Sequence, residues 1–199
     1  MGRRVSDPIL PADDGSTPLS DEEREGLKPS YVTTRGDLNA AEQANILEAE
    51  HWAIQRTRNV LDPKFLNALH TRMFGNVWKW AGSYRRTGKN IGVDAYRIPV
   101  DLQQLIDDCA YWIEHKTYPH DEIAARFHHR LVQIHPYPNG NGRHARLAAD
   151  LLLKQMQRPR FTWGSTRLTD RGTTRRAYID ALRAADNHDY RPLMEFVRS

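Results

Sequence analysis

One segment constrains this chain more than any other: His135-Pro136-Tyr137-Pro138-Asn139-Gly140-Asn141-Gly142-Arg143-His144-Ala145-Arg146. It lies between two helical stripes. Upstream, Ile123, Phe127, Leu131 and Ile134 recur at three- and four-residue spacing, predicting a helix from about Asp121 to Ile134. Downstream, a second helix is expected from near Gly142 to about Gln157, before Pro159. Glycines in the connecting loop permit positive φ and let backbone N–H groups approach a ligand closely. The start of the second helix presents unpaired N–H groups and the positive end of its dipole. Arg143 and Arg146 lie three apart, on one helical face. The segment therefore reads as an anion cradle with two guanidinium arms, each able to grip phosphate oxygens in bidentate fashion. His135, at the entrance, carries the side chain whose ordinary pKa suits proton transfer near neutrality. Such a site suits a di- or triphosphate, with a base beside it to take a proton from an incoming hydroxyl.

The rest of the chain reads as a mostly α-helical bundle. Residues 1–36 form an arm rich in Pro and Gly, with one short helix from Ser20 to Gly26. Asn39 followed by Glu42 resembles a capping box, and Ile46, Ala49 and Ala53 continue at helical spacing. Asp62-Pro63 opens a helix striped by Leu66, Leu69 and Met73 and closed by Gly75. Residues 80–98 break the rhythm, with three glycines among Tyr84, Ile91, Val93, Tyr96 and Ile98, and read as a small β-hairpin or flap. Helices follow through Leu102–Ile113, through residues 173–186, and around Leu193, Phe196 and Val197.

Composition bounds the function class. With 199 residues, 39% apolar and 27% charged, the chain suits one soluble domain. No run approaches the length of a membrane span, and the N-terminus has no apolar signal core. The lone Cys109 excludes an intrachain disulfide or a thiolate zinc site, and a reducing cytoplasm is the expected location. The net charge of +4 is unevenly spread: residues 126–176 carry eleven Lys/Arg against two acids, whereas residues 1–30 carry seven acids against four Lys/Arg. The basic half suits a polyanion such as a nucleotide's phosphates. No nucleic-acid-binding motif accompanies the arginines at 158, 160, 167, 171, 175 and 176, which read as a solvated surface.

The segment from His135 to Arg146 closely resembles the Fic/Doc family signature H-P-F-x-[D/E]-G-N-G-R-x-x-R. Similarity extends over about residues 40–198, with Trp80–Arg85 and the following residues resembling the family's flap; the chain looks closest to the subgroup called mobile mystery protein B. The resemblance implies a helical Fic fold over residues 37–199 and transfer of AMP from ATP, with Mg²⁺, onto a hydroxyl of a target protein. It implies that His135 is the general base and that Gly140, Asn141 and Gly142 form the anion hole. Arg143 would hold the β-phosphate and Arg146 the γ-phosphate. Residue 139 would ligate Mg²⁺. The flap, Lys89, Asn90, Ile91, Gly92 and Val93, would clamp a target segment as an added strand. For the subgroup it also implies carriage near mobile elements and a toxin-like or regulatory role.

Asn139 departs from the pattern, because an amide oxygen brings no full charge to Mg²⁺. This leaves open transfer of another nucleotide or phosphoryl group, or a catalytically weak nucleotide-binding regulator. Members of the family are often restrained by a helix carrying [S/T]-x-x-x-E-[G/N]. The stretch Asp21–Gly26 keeps Glu25-Gly26, so an inhibitory pair between Glu25 and Arg146 is expected. Cys109 falls on an apolar stripe with Leu105 and Ile113 and should be buried and inert.

Overall fold

A computed structural model describes residues 19–56, 58–165 and 171–199. The early arm and Arg167 lie outside the described residues. Eight helices are described: α1 Asp21–Arg24, α2 Arg35–Ile54, α3 Pro63–Phe74, α4 Ile98–Glu114, α5 His120–Ile134, α6 Asn141–Gln155, α7 Arg171–Asp186 and α8 Arg191–Val197.

Local chemistry sets their ends. Ser20 and Glu23 form a reciprocal capping box on α1, and Asp62 caps α3 ahead of Pro63. Helix α2 begins one turn earlier than Asn39. Thr34 accepts from the N–H of Asp37, and Asp37 accepts from the N–H of Thr34, so the true capping box precedes the expected one.

Helices α5 and α6 sit at the centre, joined by a short loop. One apolar cluster packs α2, α3 and α4 against them through residues such as Leu66, Leu69, Leu102, Phe127, Leu131 and Leu152. A second packs α7 and α8 against their other side through Ala124, Leu153, Ala181, Leu193 and Phe196. Fully burying one Leu, Ile or Phe contributes about 1.5–3 kcal/mol. Leu131 and Ile134, at 1% and 0% exposure, lie in the last turn before the loop. Their burial outweighs a cost of about 1–3 kcal/mol for one strained backbone position there. The bundle thus pins the signature loop from both sides.

The hairpin expected over residues 80–98 is not formed. Residues 84–94 run as bends and irregular chain, followed by a 3-10 turn at Ala95–Arg97. The β-feature among the described residues is an isolated antiparallel bridge between Leu27 and Trp78. The physical reason is that this segment pairs with the signature loop instead of with itself. Arg85 N–H donates to the Pro136 carbonyl at 2.9 Å, and Val93 N–H to the Ile134 carbonyl at 3.4 Å.

Candidate active site

His135 caps the C-terminus of α5 in the left-handed region, with φ 55° and ψ 60°. Its N–H closes the last turn on the Leu131 carbonyl at 3.2 Å. Its Nδ1 lies 3.2 Å from the Val132 carbonyl, which can only accept, so Nδ1 carries the proton and Nε2 is the basic nitrogen. The residue is 5% exposed. Burial pushes its pKa down to about 4, and the charges of Arg85 and Lys89 push the same way. The imidazole is therefore neutral at physiological pH, the form a proton acceptor needs.

The loop that follows is held from within and below. Asn141 accepts from Tyr137 N–H at 2.9 Å and donates to the Tyr137 carbonyl at 2.8 Å. Its side chain thus braces the turn, and it contributes its position at the start of α6 through the backbone. The Tyr137 ring is fully buried and stacks on His70 at 3.7 Å, and its hydroxyl donates to Asn67 at 2.8 Å. His70 accepts from Gly82 N–H at 2.9 Å through Nδ1, so its Nε2 donates to the Asn139 carbonyl at 3.1 Å. Burial holds its pKa well below the usual range. Gly140 has φ 80°, and a Cβ there would stand 2.6 Å from the Phe74 ring. Only glycine fits on both counts.

Gly140 brings no side-chain cap to α6, so the first N–H groups of that helix face the loop. At Gly142 an added Cβ would meet only the Tyr178 hydroxyl, at 3.7 Å, so the cradle there is open. Arg143 forms an ion pair with Glu42 of α2 at 2.5 Å and lies over Phe74 at 4.9 Å. Glu42 also accepts from the Trp78 indole at 2.7 Å. Arg146 is half-buried, its guanidinium 5.5 Å from the Tyr178 ring centre. Tyr178 is in turn bonded to His128 at 3.0 Å. The structure brings His135, Gly140, Asn141, Gly142, Arg143 and Arg146 onto one loop and helix start.

The ion pair expected between Glu25 and Arg146 is not formed. Glu25 is the exposed C-cap of α1. The neighbouring Glu23 turns inward instead and pairs with Lys89, both side chains nearly buried at 12% and 6% exposure. Trp80 donates its indole N–H to the Glu23 carbonyl at 2.9 Å. The acidic arm thus meets the flap rather than the arginine cradle. Within the flap, Ile91 is 42% exposed, Val93 packs against the main core, and Gly92 (φ 107°) lies against His135.

Residue 139 offers an amide oxygen, which already accepts from Gly140 N–H at 2.6 Å and brings no full charge, so it is a weaker Mg²⁺ ligand than a carboxylate would be there. Cys109 is fully buried, and burial raises its thiol pKa to about 12, so it is inert. No helix among the described residues is long and apolar enough to cross a membrane.

Two functional neighbours escaped the motif. Glu42 was legible only as a helix cap, although it falls on the same buried stripe as Leu38, Ala49 and Ala53. A charge on a buried stripe signals a partner. His70 sits beside Leu66, Leu69 and Met73 on α3 in the same way.

Comparison with known proteins places the chain beside proteins of one family. The family model described as Fic/DOC family matches residues 60–153. Relatives called "Protein adenylyltransferase Fic" are 30% identical over 133 residues in Aedes aegypti and 32% over 138 residues in Culex quinquefasciatus. These matches cover 65% and 67% of this chain but 25% and 26% of those proteins. The chain therefore spans about a quarter of the curated relatives' length. Among solved structures, the BepC protein of Bartonella tribocorum with bound AMPPNP aligns with TM-score 0.66 and 18% identity, covering 90% of this chain and 97% of that one. Fic-1 from C. elegans aligns with TM-score 0.66 and 23% identity, covering 87% of this chain and 51% of its own.

Proposed function

Residues 60–153 are a Fic/DOC family domain, and from that premise we propose that the chain is a protein adenylyltransferase. It would transfer AMP from Mg-ATP to a hydroxyl side chain of a target protein. The observation that carries this reading is a neutral, Nδ1-protonated His135 beside the uncapped N-terminus of α6. The relatives' name and the AMPPNP bound to BepC support the same chemistry.

In this reading the hydroxyl of the target gives its proton to Nε2 of His135. Its oxygen forms a bond to the α-phosphorus as the bond to the bridging oxygen breaks, and pyrophosphate leaves. The backbone N–H groups of Gly140, Asn141 and Gly142 receive the phosphate charge that builds up, while Arg143 and Arg146 hold the β- and γ-phosphates. Mg²⁺ arrives with the nucleotide as part of the substrate, and no step is assigned to it. Lys89, Asn90, Ile91, Gly92 and Val93 would hold the target segment across His135. A bound triphosphate also raises the basicity of His135 by adding negative charge near a buried imidazole.

Asn139, an amide already bonded to Gly140 N–H, favours a second reading: a weak nucleotide-binding regulator, or transfer of another phosphate-bearing group. Isothermal titration with ATP, followed by mass spectrometry of lysate proteins incubated with Mg-ATP, separates the two. Addition of AMP to a protein supports the adenylyltransferase. Binding without any adduct supports the regulator.

A further inference from the structure

Arg85 is 3% exposed, yet the bonds of its side chain go to carbonyl oxygens rather than to a carboxylate. Nε donates to the His135 carbonyl at 2.7 Å and Nη1 to the Thr87 carbonyl at 2.9 Å. Nη2 donates to the Val93 carbonyl and, at 3.4 Å, to the Ile134 carbonyl. Its own N–H donates to the Pro136 carbonyl at 2.9 Å. Burying a guanidinium among neutral carbonyls is costly, so such an arrangement persists where it satisfies buried acceptors. Two of the four, the Ile134 and His135 carbonyls, stand at the C-terminal end of α5, where a cation is also favoured by the helix dipole, and the other two lie in the flap; Val93 N–H shares the Ile134 carbonyl. The first two belong to the strained turn that carries the proposed base.

We propose that Arg85 is a positioning residue for His135: it locks the left-handed turn at 135 and registers the flap against it. This rests on the proposed function only in naming His135 as the base. Two chain segments, 134–136 and 87–93, share the Val93–Ile134 main-chain bond and the fork of the Arg85 side chain. A planar fork reaches four carbonyls from a fixed plane; an ammonium cannot. The close fit is independent evidence. A Cβ at Gly92 would stand 2.7 Å from Arg85 Nη2 and 2.7 Å from His135 Cβ. Base, clamp and flap therefore meet with no spare space. The charges that reach His135 are Arg85 and Lys89, with Glu23 and Asp94 the acids that face Arg85. Lysine at 85 keeps the charge but not the fork.

The test compares wild type, Arg85→Lys, His135→Ala and the double variant, measuring AMP transfer and, separately, ATP affinity. Arg85→Lys should lower kcat on the order of 10- to 100-fold with ATP affinity within about twofold of wild type. In the His135→Ala background it should have no further effect, since it acts through that ring. Gly92→Ala, which disturbs the same junction from the flap, should behave likewise. Histidine-selective ¹⁵N NMR supplies a readout independent of activity. Wild type should show the Nδ1-protonated tautomer of His135, and Arg85→Lys a mixture. If wild type transfers nothing, the functional reading fails, and the NMR comparison still decides the positioning role. An unchanged tautomer and kcat in both variants, or additive losses with His135→Ala, would overturn it.

Discussion

Glu42 of α2 and Arg143 of α6 are 101 residues apart in sequence and form an ion pair at 2.5 Å. The carboxylate is 6% exposed and the guanidinium 34%, and the second carboxylate oxygen holds the Trp78 indole at 2.7 Å. The bond to Glu42 is made by one guanidinium nitrogen, Nη1, and the guanidinium also lies over the Phe74 ring. Glu42→Ala should lower folding stability by about 1–3 kcal/mol, less than for a fully buried pair because Arg143 is partly solvated. It should also weaken ATP binding several-fold. Urea unfolding and calorimetric titration check the two effects.

Gly140→Ala should be among the most damaging single methyl additions. It combines φ 80° with a Cβ 2.6 Å from the Phe74 ring, the same ring that supports Arg143. A loss of about 2–4 kcal/mol is expected, with ATP binding abolished. Gly142→Ala, whose Cβ meets only the Tyr178 hydroxyl at 3.7 Å, should fold normally. Thermal melts of the two variants side by side test the contrast.

Acid should unfold the protein through its buried histidines. Burial depresses the pKa of His128 to about 3 and of His135 and His144 to about 4, against an ordinary 6.5. Between pH 6.5 and 4 the unfolded chain binds protons that the folded chain refuses. Stability is therefore full above 6.5 and falls as pH drops through that window, each such histidine adding about 1.4 kcal/mol per pH unit. His128→Phe should flatten the slope by about one proton. For catalysis, the same shift at His135 places the acid limb of kcat/KM near pH 4 rather than 6.5. Chemical denaturation and rate profiles across pH 4–8 measure both.

Asn139→Asp should create a dependence that the wild type lacks. Aspartate preserves an acceptor for Gly140 N–H, bonded to the Asn139 oxygen at 2.6 Å, and adds a full charge. ATP affinity of the variant should rise several-fold on adding Mg²⁺, while that of the wild type should change little. Titrations with and without EDTA read the difference.

The helical frame was legible wherever a stripe had a clear cap. Asp62-Pro63 and Gly75 bounded α3 as expected, and Ser20 capped α1. That His135, Gly140, Asn141, Gly142, Arg143 and Arg146 share one loop and helix start was legible too, because these residues lie close together in sequence. What failed involved partners distant in sequence. The three glycines among Tyr84, Ile91, Val93, Tyr96 and Ile98 suggested a hairpin, but the backbone there is satisfied by residues 134–136 and by Arg85. Acid–base pairing across the fold was equally hidden. Glu25 matched a motif and stays exposed, whereas Glu23, two residues away, reaches Lys89, and Glu42 reaches Arg143. A motif specifies residue types, and only tertiary packing decides which of several neighbouring carboxylates faces inward.

The central claim is that His135 and the α6 cradle move an AMP group onto a protein hydroxyl. The most direct measurement incubates wild type and His135→Ala with Mg²⁺, target-containing lysate and ATP labelled at either the α- or the γ-phosphate. The account predicts protein-bound label from α-labelled ATP only, lost in His135→Ala. Label from γ-labelled ATP, or α-label that survives His135→Ala, would contradict it.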